Sequence, residues 1–323
     1  MANLPIERQK NNLIVALVKS ARPVHWIKNL AVFAALLLSG LLLKKGLFVD
    51  TFWAFIAFDF ATSATYVVND LFDIELDRLH PIKKFRPIAS GDLPKGLAVM
   101  EALLLAMVAL TISGTLSYLF FLIIIGYLVL QFFYSAGLKN IAILDILIIA
   151  TGFILRVYAG AFVINAHLSV WFLLCVISTA LFLASGKRRS ELNLIQQSSQ
   201  ITRKSLISYK KDLLNSYVTM FGNASWLSWS LYTFFESPRT DTGFWLTLAE
   251  ISRTATISKL LMVTIPVVIF GIMRYESLIF EGRSEAPEKI LLSDKALIFA
   301  VIIWVIMVLL IVYAGVSSNT PVY

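Results

Sequence analysis

Nine times along its 323 residues this chain becomes apolar for long enough to cross the hydrocarbon core of a bilayer. The runs cover residues 26–43, 51–68, 97–113, 116–134, 142–164, 168–185, 213–235, 255–273 and 296–315. They have the length of membrane helices, not of membrane strands, so the expectation is an all-α, polytopic membrane protein with about nine transmembrane helices. Charged residues make up only 15% of the chain and apolar residues 58%, where a soluble domain carries about 25% charged. Only Ser113-Gly114-Thr115 divides the third run from the fourth, which predicts a tight helical hairpin. The first twenty-five residues are polar and mixed, so no secretory leader is expected and the first apolar run reads as a retained helix. Residues 11–20 can form a short interfacial helix that Arg22-Pro23 breaks. With no linker, low-complexity tract or clear repeat, residues 1–323 read as a single integral-membrane domain, 1–25 being its N-terminal segment.

The distribution of basic residues sets an orientation. With the N-terminus inside, the alternate loops holding Arg8 to Lys28, Arg78 to Lys95, Lys139, Lys187 to Lys211 and Arg274 to Lys295 carry about 22 of the 28 Lys and Arg. Lys44, Lys45, Arg239, Arg253 and Lys259 lie opposite. By the positive-inside rule this asymmetry predicts N-terminus cytoplasmic and C-terminus outside. The net charge of +8 then belongs to topology and to phosphate-facing surfaces, and no nucleic-acid partner is expected. The long hydrophilic loops (69–96, 186–212 and 274–295) all fall on the cytoplasmic side, where a site has material to form.

The second apolar run leads directly into Asn69-Asp70-Leu71-Phe72-Asp73-Ile74-Glu75-Leu76-Asp77. At helical pitch Asp70, Asp73 and Asp77 fall within about a third of a turn of one another. Three carboxylates on one face repel unless a cation holds them, and hard oxygen ligands suit Mg²⁺ shared with substrate phosphates. A solvated acidic helix end fits the spacing equally well. Cys175, the only cysteine, lies inside an apolar run, so no intramolecular disulfide is available. His25, His80 and His167 are scattered without zinc or haem spacing, which leaves Mg²⁺ as the metal best matched to the donors present. Beyond the aspartates come Arg78, His80, Lys83, Lys84 and Arg86, either ordinary loop charge or cations that take up the charge of a leaving diphosphate.

Asn-Asp-x-x-Asp-x-x-x-Asp after the second membrane helix resembles the signature of the UbiA-type intramembrane prenyltransferase superfamily. Further segments resemble one branch, the decaprenyl-phosphate phosphoribosyltransferases. These are Arg22-Pro23-Val24-His25-Trp26-Ile27-Lys28-Asn29, His80-Pro81-Ile82-Lys83-Lys84-Phe85-Arg86-Pro87-Ile88-Ala89-Ser90-Gly91, Gly152-Phe153-Ile154-Leu155-Arg156, Gly186-Lys187-Arg188-Arg189-Ser190-Glu191-Leu192, and Gly282-Arg283 with Ala286-Pro287-Glu288. The resemblance implies a helical bundle around a central cavity open to the cytoplasmic face of the bacterial inner membrane. It implies Mg²⁺-dependent transfer of 5-phosphoribose from phosphoribosyl diphosphate to a polyprenyl phosphate, for cell-envelope glycan precursors. Membrane lipids are then the surroundings of the acceptor's tail, and an oligomer is compatible with everything in the sequence. Ordinary superfamily members carry a second aspartate-rich motif after the sixth helix; here that stretch has Lys187, Arg188, Arg189 and Glu191, with Asp212 alone at its far end. Two phosphorylated substrates bring more negative charge than a prenyl diphosphate and an aromatic, so cations replace acids there.

By the same resemblance Asp70, Asp73 and Asp77, with Asn69, hold the metal and form the catalytic set. Tyr134 and Lys139, at the end of the fourth helix, stand near the diphosphate. Lys28, Lys83, Arg86, Lys187, Arg188 and Glu191 complete the substrate contacts. Arg156 stands out by depth alone: an ionisable residue far inside a span needs a partner or a polar cavity. Asp145 lies on its helix but about 16 Å away along the axis. Arg156 is therefore expected to face the central cavity, bracing the aspartate helix or a substrate phosphate. Asp59 is the other deep charge, without a motif. Two rival readings are a prenyltransferase with an aromatic acceptor, which the missing second acidic motif opposes, and a transporter. Transporters usually show internal repeats and helices broken at mid-membrane.

Overall fold

The computed structural model describes residues 12–198, 204–236, 257–281 and 293–314, and among these every regular element is helical. Helix α1 (Leu13–Ala21) starts on Asn12, whose side chain accepts the Ile14 N–H, and ends on Arg22 in the left-handed conformation (φ 53°). It buries Ala16 and Ser20 and leaves Leu13, Ile14, Val15 and Val18 exposed, the one-sided pattern of a helix lying at an interface.

The first apolar run departs from expectation. It is a 3-10 segment, Pro23–Phe33, running into a five-residue helix α2 (Ala34–Leu38), so the run is helical but is not one continuous α-helix. This segment is wedged into the protein, with Asn29 and Val32 fully buried. It lies so close to the later helix around Gly160 that a Cβ there would overlap the Val32 carbonyl oxygen and come within 2.9 Å of its carbon.

Helix α3 (Lys45–Phe72) is followed by α4 (Ile74–Leu79), a 3-10 turn Lys83–Phe85, and α5 (Pro87–Ser90), which closes on Gly91 at φ 85°. One residue, Ser117, separates α6 (Lys95–Leu116) from α7 (Tyr118–Ala136). Then come α8 (Leu144–Val163), α9 (Val170–Ser198), α10 (Lys204–Ile207) and α11 (Lys211–Phe235). The 3-10 segment Ile257–Thr264 leads into α12 (Ile265–Phe280), and α13 (Lys295–Tyr313) follows. Among the described residues, seven helices are long and apolar enough to cross a membrane: Lys45–Phe72, Lys95–Leu116, Tyr118–Ala136, Leu144–Val163, Val170–Asn193, Lys259–Phe280 and Lys295–Tyr313. The protein is a multi-pass membrane protein. Two of the nine expected runs are not among these seven: the first is a broken 3-10 and α segment, and α11 carries Asn215, Asn223 and a series of Ser and Thr among its 25 residues. Residues 186–198, expected in a loop, instead extend α9.

Small residues bring the helices together. Ala54, Ala57, Ala61 and Ala64 form one buried stripe on α3, and close approach of this kind favours association where lipid is as apolar as the side chains. Phe58, Phe120, Ile124 and Tyr127 fill the space beyond it. Gly160 is the tightest of these contacts. A Gly160→Ala protein is expected to lose about 1–3 kcal/mol through overpacking against backbone, read as a lowered thermal midpoint in detergent.

Candidate active site

The chain turns out of α3 at Asp73 (φ −97°, ψ 7°) and restarts as α4, so the aspartates do not share one unbroken helical face. The winding is nearly kept: the Asp73 N–H donates to Asn69 O at 3.0 Å and the Asp77 N–H to Asp73 O at 2.8 Å. Asp70, Asp73 and Asp77 are all buried. Each finds a protein cation. Arg86 Nη1 lies 3.0 Å from Asp70 Oδ1 and 2.6 Å from Asp77 Oδ2, and Arg22 pairs with Asp70 as well. Lys139 Nζ lies 2.6 Å from Asp73 Oδ1 and 3.2 Å from Asn69 Oδ1.

Four side chains thus present hard oxygens in two pairs, each pair closing on one point of positive charge. That donor chemistry fits Mg²⁺, which takes one or two carboxylates and completes its shell with water and phosphate. The Asp77 carboxyl lies above its usual range because burial outweighs the compensation from Arg86. Among the described residues no three His, Cys, Asp or Glu converge by themselves as a metal cage.

In front of these pairs opens a cavity of about 250 Å³. Among the described residues, Arg22, Lys28, Lys83, Arg86, Arg156 and Lys187 line it, with Asn69, Tyr134 and a single acid, Glu191. Asp70, Asp73, Asp77, Lys139 and Arg188 do not line it; the aspartates and Lys139 stand in the layer behind. His25, Thr65, Tyr66, Tyr127 and Gln131 also line it and were not singled out from the sequence. Two signals were available. Arg22 opens the Arg22-Pro23 segment, and Tyr127, Gln131 and Tyr134 form a polar stripe at helical spacing on the otherwise apolar α7.

Arg156 reaches this cavity from α8. Its Nε donates to Asn29 Oδ1 at 2.6 Å, Nη1 to the Gly152 carbonyl, and Nη2 to Tyr127 Oη at 3.2 Å. Asn29 Nδ2 in turn donates to Asp59 Oδ1 at 2.6 Å. The two deep charges are therefore joined through an amide and not directly, and the Asp59 bond fixes which way Asn29 presents its oxygen. Arg156→Leu removes the donor to Tyr127 Oη and the closer of the two donors to Asn29 Oδ1, Thr62 Oγ1 at 3.3 Å being the other, at a cost of about 1–3 kcal/mol. Activity should fall with it, and normal activity in that variant would remove Arg156 from the site.

Arg188, expected to contact phosphate, is fully buried. Its Nε lies 2.6 Å from Asp145 Oδ2, Nη1 pairs with Glu191 and Nη2 donates to Tyr134 Oη at 2.8 Å. Tyr209 Oη donates to Asp145 Oδ1 at 2.7 Å and accepts the Ile143 N–H at 2.5 Å. Burial and the Asp145 carboxylate hold the Tyr209 hydroxyl above its ordinary range, so it serves as a donor. The sequence segments Gly282-Arg283 and Ala286-Pro287-Glu288, like residues 237–256, lie outside the described residues.

The model of the UbiA prenyltransferase family matches residues 30–249. The chain belongs to that family. Among curated UbiA relatives, the decaprenyl-phosphate phosphoribosyltransferase of Corynebacterium glutamicum is 36% identical over 307 residues, covering 94% of this chain and 88% of the relative. The enzyme of the same name from Mycolicibacterium smegmatis is 35% identical, covering 93% of each chain. The solved structure of a UbiA homolog from Archaeoglobus fulgidus bound to DMAPP and Mg²⁺ superposes with a TM-score of 0.65 at 15% identity, covering 93% of this chain and 99% of that one. This likeness shows the UbiA fold.

Proposed function

We propose that this UbiA-family protein transfers 5-phosphoribose from phosphoribosyl diphosphate to a polyprenyl phosphate, releasing diphosphate, at the cytoplasmic face of the bacterial inner membrane. The observation that carries the reading is the cavity wall, which among the described residues holds six cations and one acid. Such a wall suits two phosphorylated substrates better than one diphosphate and an aromatic ring. Relatives 33–36% identical over nearly the whole chain carry the name of this activity.

Asn69, Asp70, Asp73 and Asp77 are the residues that would hold Mg²⁺, which supplies charge neutralisation to the diphosphate as it leaves. Arg22, Lys83 and Arg86, at the edge of that acidic set, share the same oxygens of the leaving group. The bond from the anomeric carbon to the diphosphate oxygen breaks with its electron pair, the carbon passes through an oxocarbenium-like state, and a phosphate oxygen of the acceptor forms the new bond. That oxygen is already ionised at neutral pH, so Lys28 and Lys187 serve to place it and no general base is required. The N-terminus inside and C-terminus outside, read from the basic loops, puts this mouth where a soluble sugar diphosphate is found.

Purified protein with labelled phosphoribosyl diphosphate and decaprenyl phosphate tests the reading. Lipid-linked label should form with Mg²⁺ and not after chelation. No transfer under these conditions, together with turnover of a prenyl diphosphate and an aromatic acceptor, would overturn it.

A further inference from the structure

A pocket built for polyanions repels carboxylates, yet Glu191 lines this one. Arg188 meets two carboxylates, Asp145 at 2.6 Å from Nε with both side chains fully buried, and Glu191, and of the two only Glu191 reaches the cavity. Arg188 therefore also holds Glu191 at the wall. The Arg188 guanidinium is fixed by Asp145 on one edge and by the Tyr134 hydroxyl at 2.8 Å on another, and its Nη1 takes Glu191 Oε2. Tyr209 fixes Asp145 from behind at 2.7 Å. Four buried side chains, Arg188, Asp145, Tyr134 and Tyr209, thus orient one carboxylate at the cavity wall, which is how a binding group is preorganised.

The donor's own chemistry says what such a carboxylate meets. A phosphorylated ribose diphosphate is anionic at both ends, and between them it presents vicinal hydroxyls at C2 and C3. Cations match the ends. The hydroxyls need an acceptor, and a carboxylate with two oxygens is the group that takes ribose hydroxyls in nucleotide sites. We infer that Glu191 accepts hydrogen bonds from the vicinal hydroxyls of the donor ribose and sets the enzyme's preference for ribose over deoxyribose. Arg188 and Asp145 are positioning residues for it. The inference rests on the phosphoribosyl reading of the site.

The test compares phosphoribosyl diphosphate with its 2-deoxy and 3-deoxy analogues, all at saturating decaprenyl phosphate. The wild-type enzyme should favour the ribose donor over at least one analogue by about 100-fold or more in kcat/KM, since a site built around a hydroxyl rejects the compound lacking it. Glu191→Gln keeps the volume and an oxygen for Arg188, and it should shrink that preference by about tenfold or more. A wild-type enzyme that uses ribose and both deoxyribose donors equally well would overturn the inference with no variant needed, and so would an unchanged preference in Glu191→Gln. If the wild type turns over none of the three donors, it is the phosphoribosyl reading that fails.

Discussion

Asp73→Asn is expected to cut turnover by about 10²–10³-fold, the usual loss when one group that stabilises developing charge is removed. Asparagine matches the volume of the aspartate and still offers Lys139 Nζ an oxygen at the position now 2.6 Å away. The folded protein should therefore lose no more than the about 1.5–3 kcal/mol that a hydrogen bond to a charged group contributes. Measuring both quantities on one preparation separates the effects: thermal unfolding in detergent reports the fold, and the rate at saturating donor and Mg²⁺ reports the chemistry. Near-normal turnover in Asp73→Asn would remove this carboxylate from the diphosphate site. The neighbouring Asp70 is a poorer probe. It holds both Arg22 and Arg86, so its loss disturbs two cavity-lining cations at once.

Asp145→Ala should cost about 1–3 kcal/mol, because buried Arg188 loses one of its two carboxylate partners and Tyr209 its acceptor. Arg188 and Asp145 are both fully buried, and Arg188 retains only Glu191 and the Tyr134 hydroxyl when the aspartate is gone. Tyr209 loses its acceptor as well, although it keeps the Ile143 N–H. The effect is read as a drop in unfolding free energy or thermal midpoint. A variant as stable as the wild type would show that water or another group compensates Arg188.

Much of this was legible from residue order. The depth of Arg156 in an apolar run required a polar cavity, and the structure puts its guanidinium at one. The mixed first residues and Arg22-Pro23 located α1 and its end. What the sequence hid lies in contacts between distant segments. Arg188 sits in a basic run that reads as phosphate-binding, yet its partner Asp145 is on another helix, and nothing local signals that they meet. The aspartate spacing was correct while its interpretation as one continuous face was not, because a backbone turn at Asp73 sends that carboxylate to Lys139 and leaves Asp70 and Asp77 to Arg86. The first apolar run is a 3-10 helix and a short α-helix in place of one continuous α-helix, and it is pressed against Gly160, a contact that hydropathy does not register.

The polar composition of α11 carries a different consequence. Ser225 donates to the Phe221 carbonyl, Ser228 to Ala224, Ser230 to Trp226 and Thr233 to Ser230, so these hydroxyls are satisfied by their own helix backbone. Asn215 accepts from Arg189 Nε at 2.5 Å, Asn223 from Trp226 Nε1 at 3.3 Å, and Thr219 donates to Glu276 at 2.7 Å. Hydropathy scales charge each such group the full cost of leaving water, whereas a group already bonded within the protein has no such cost left to add. Toward surrounding lipid, α11 is a more apolar rod than the sum of its side chains implies.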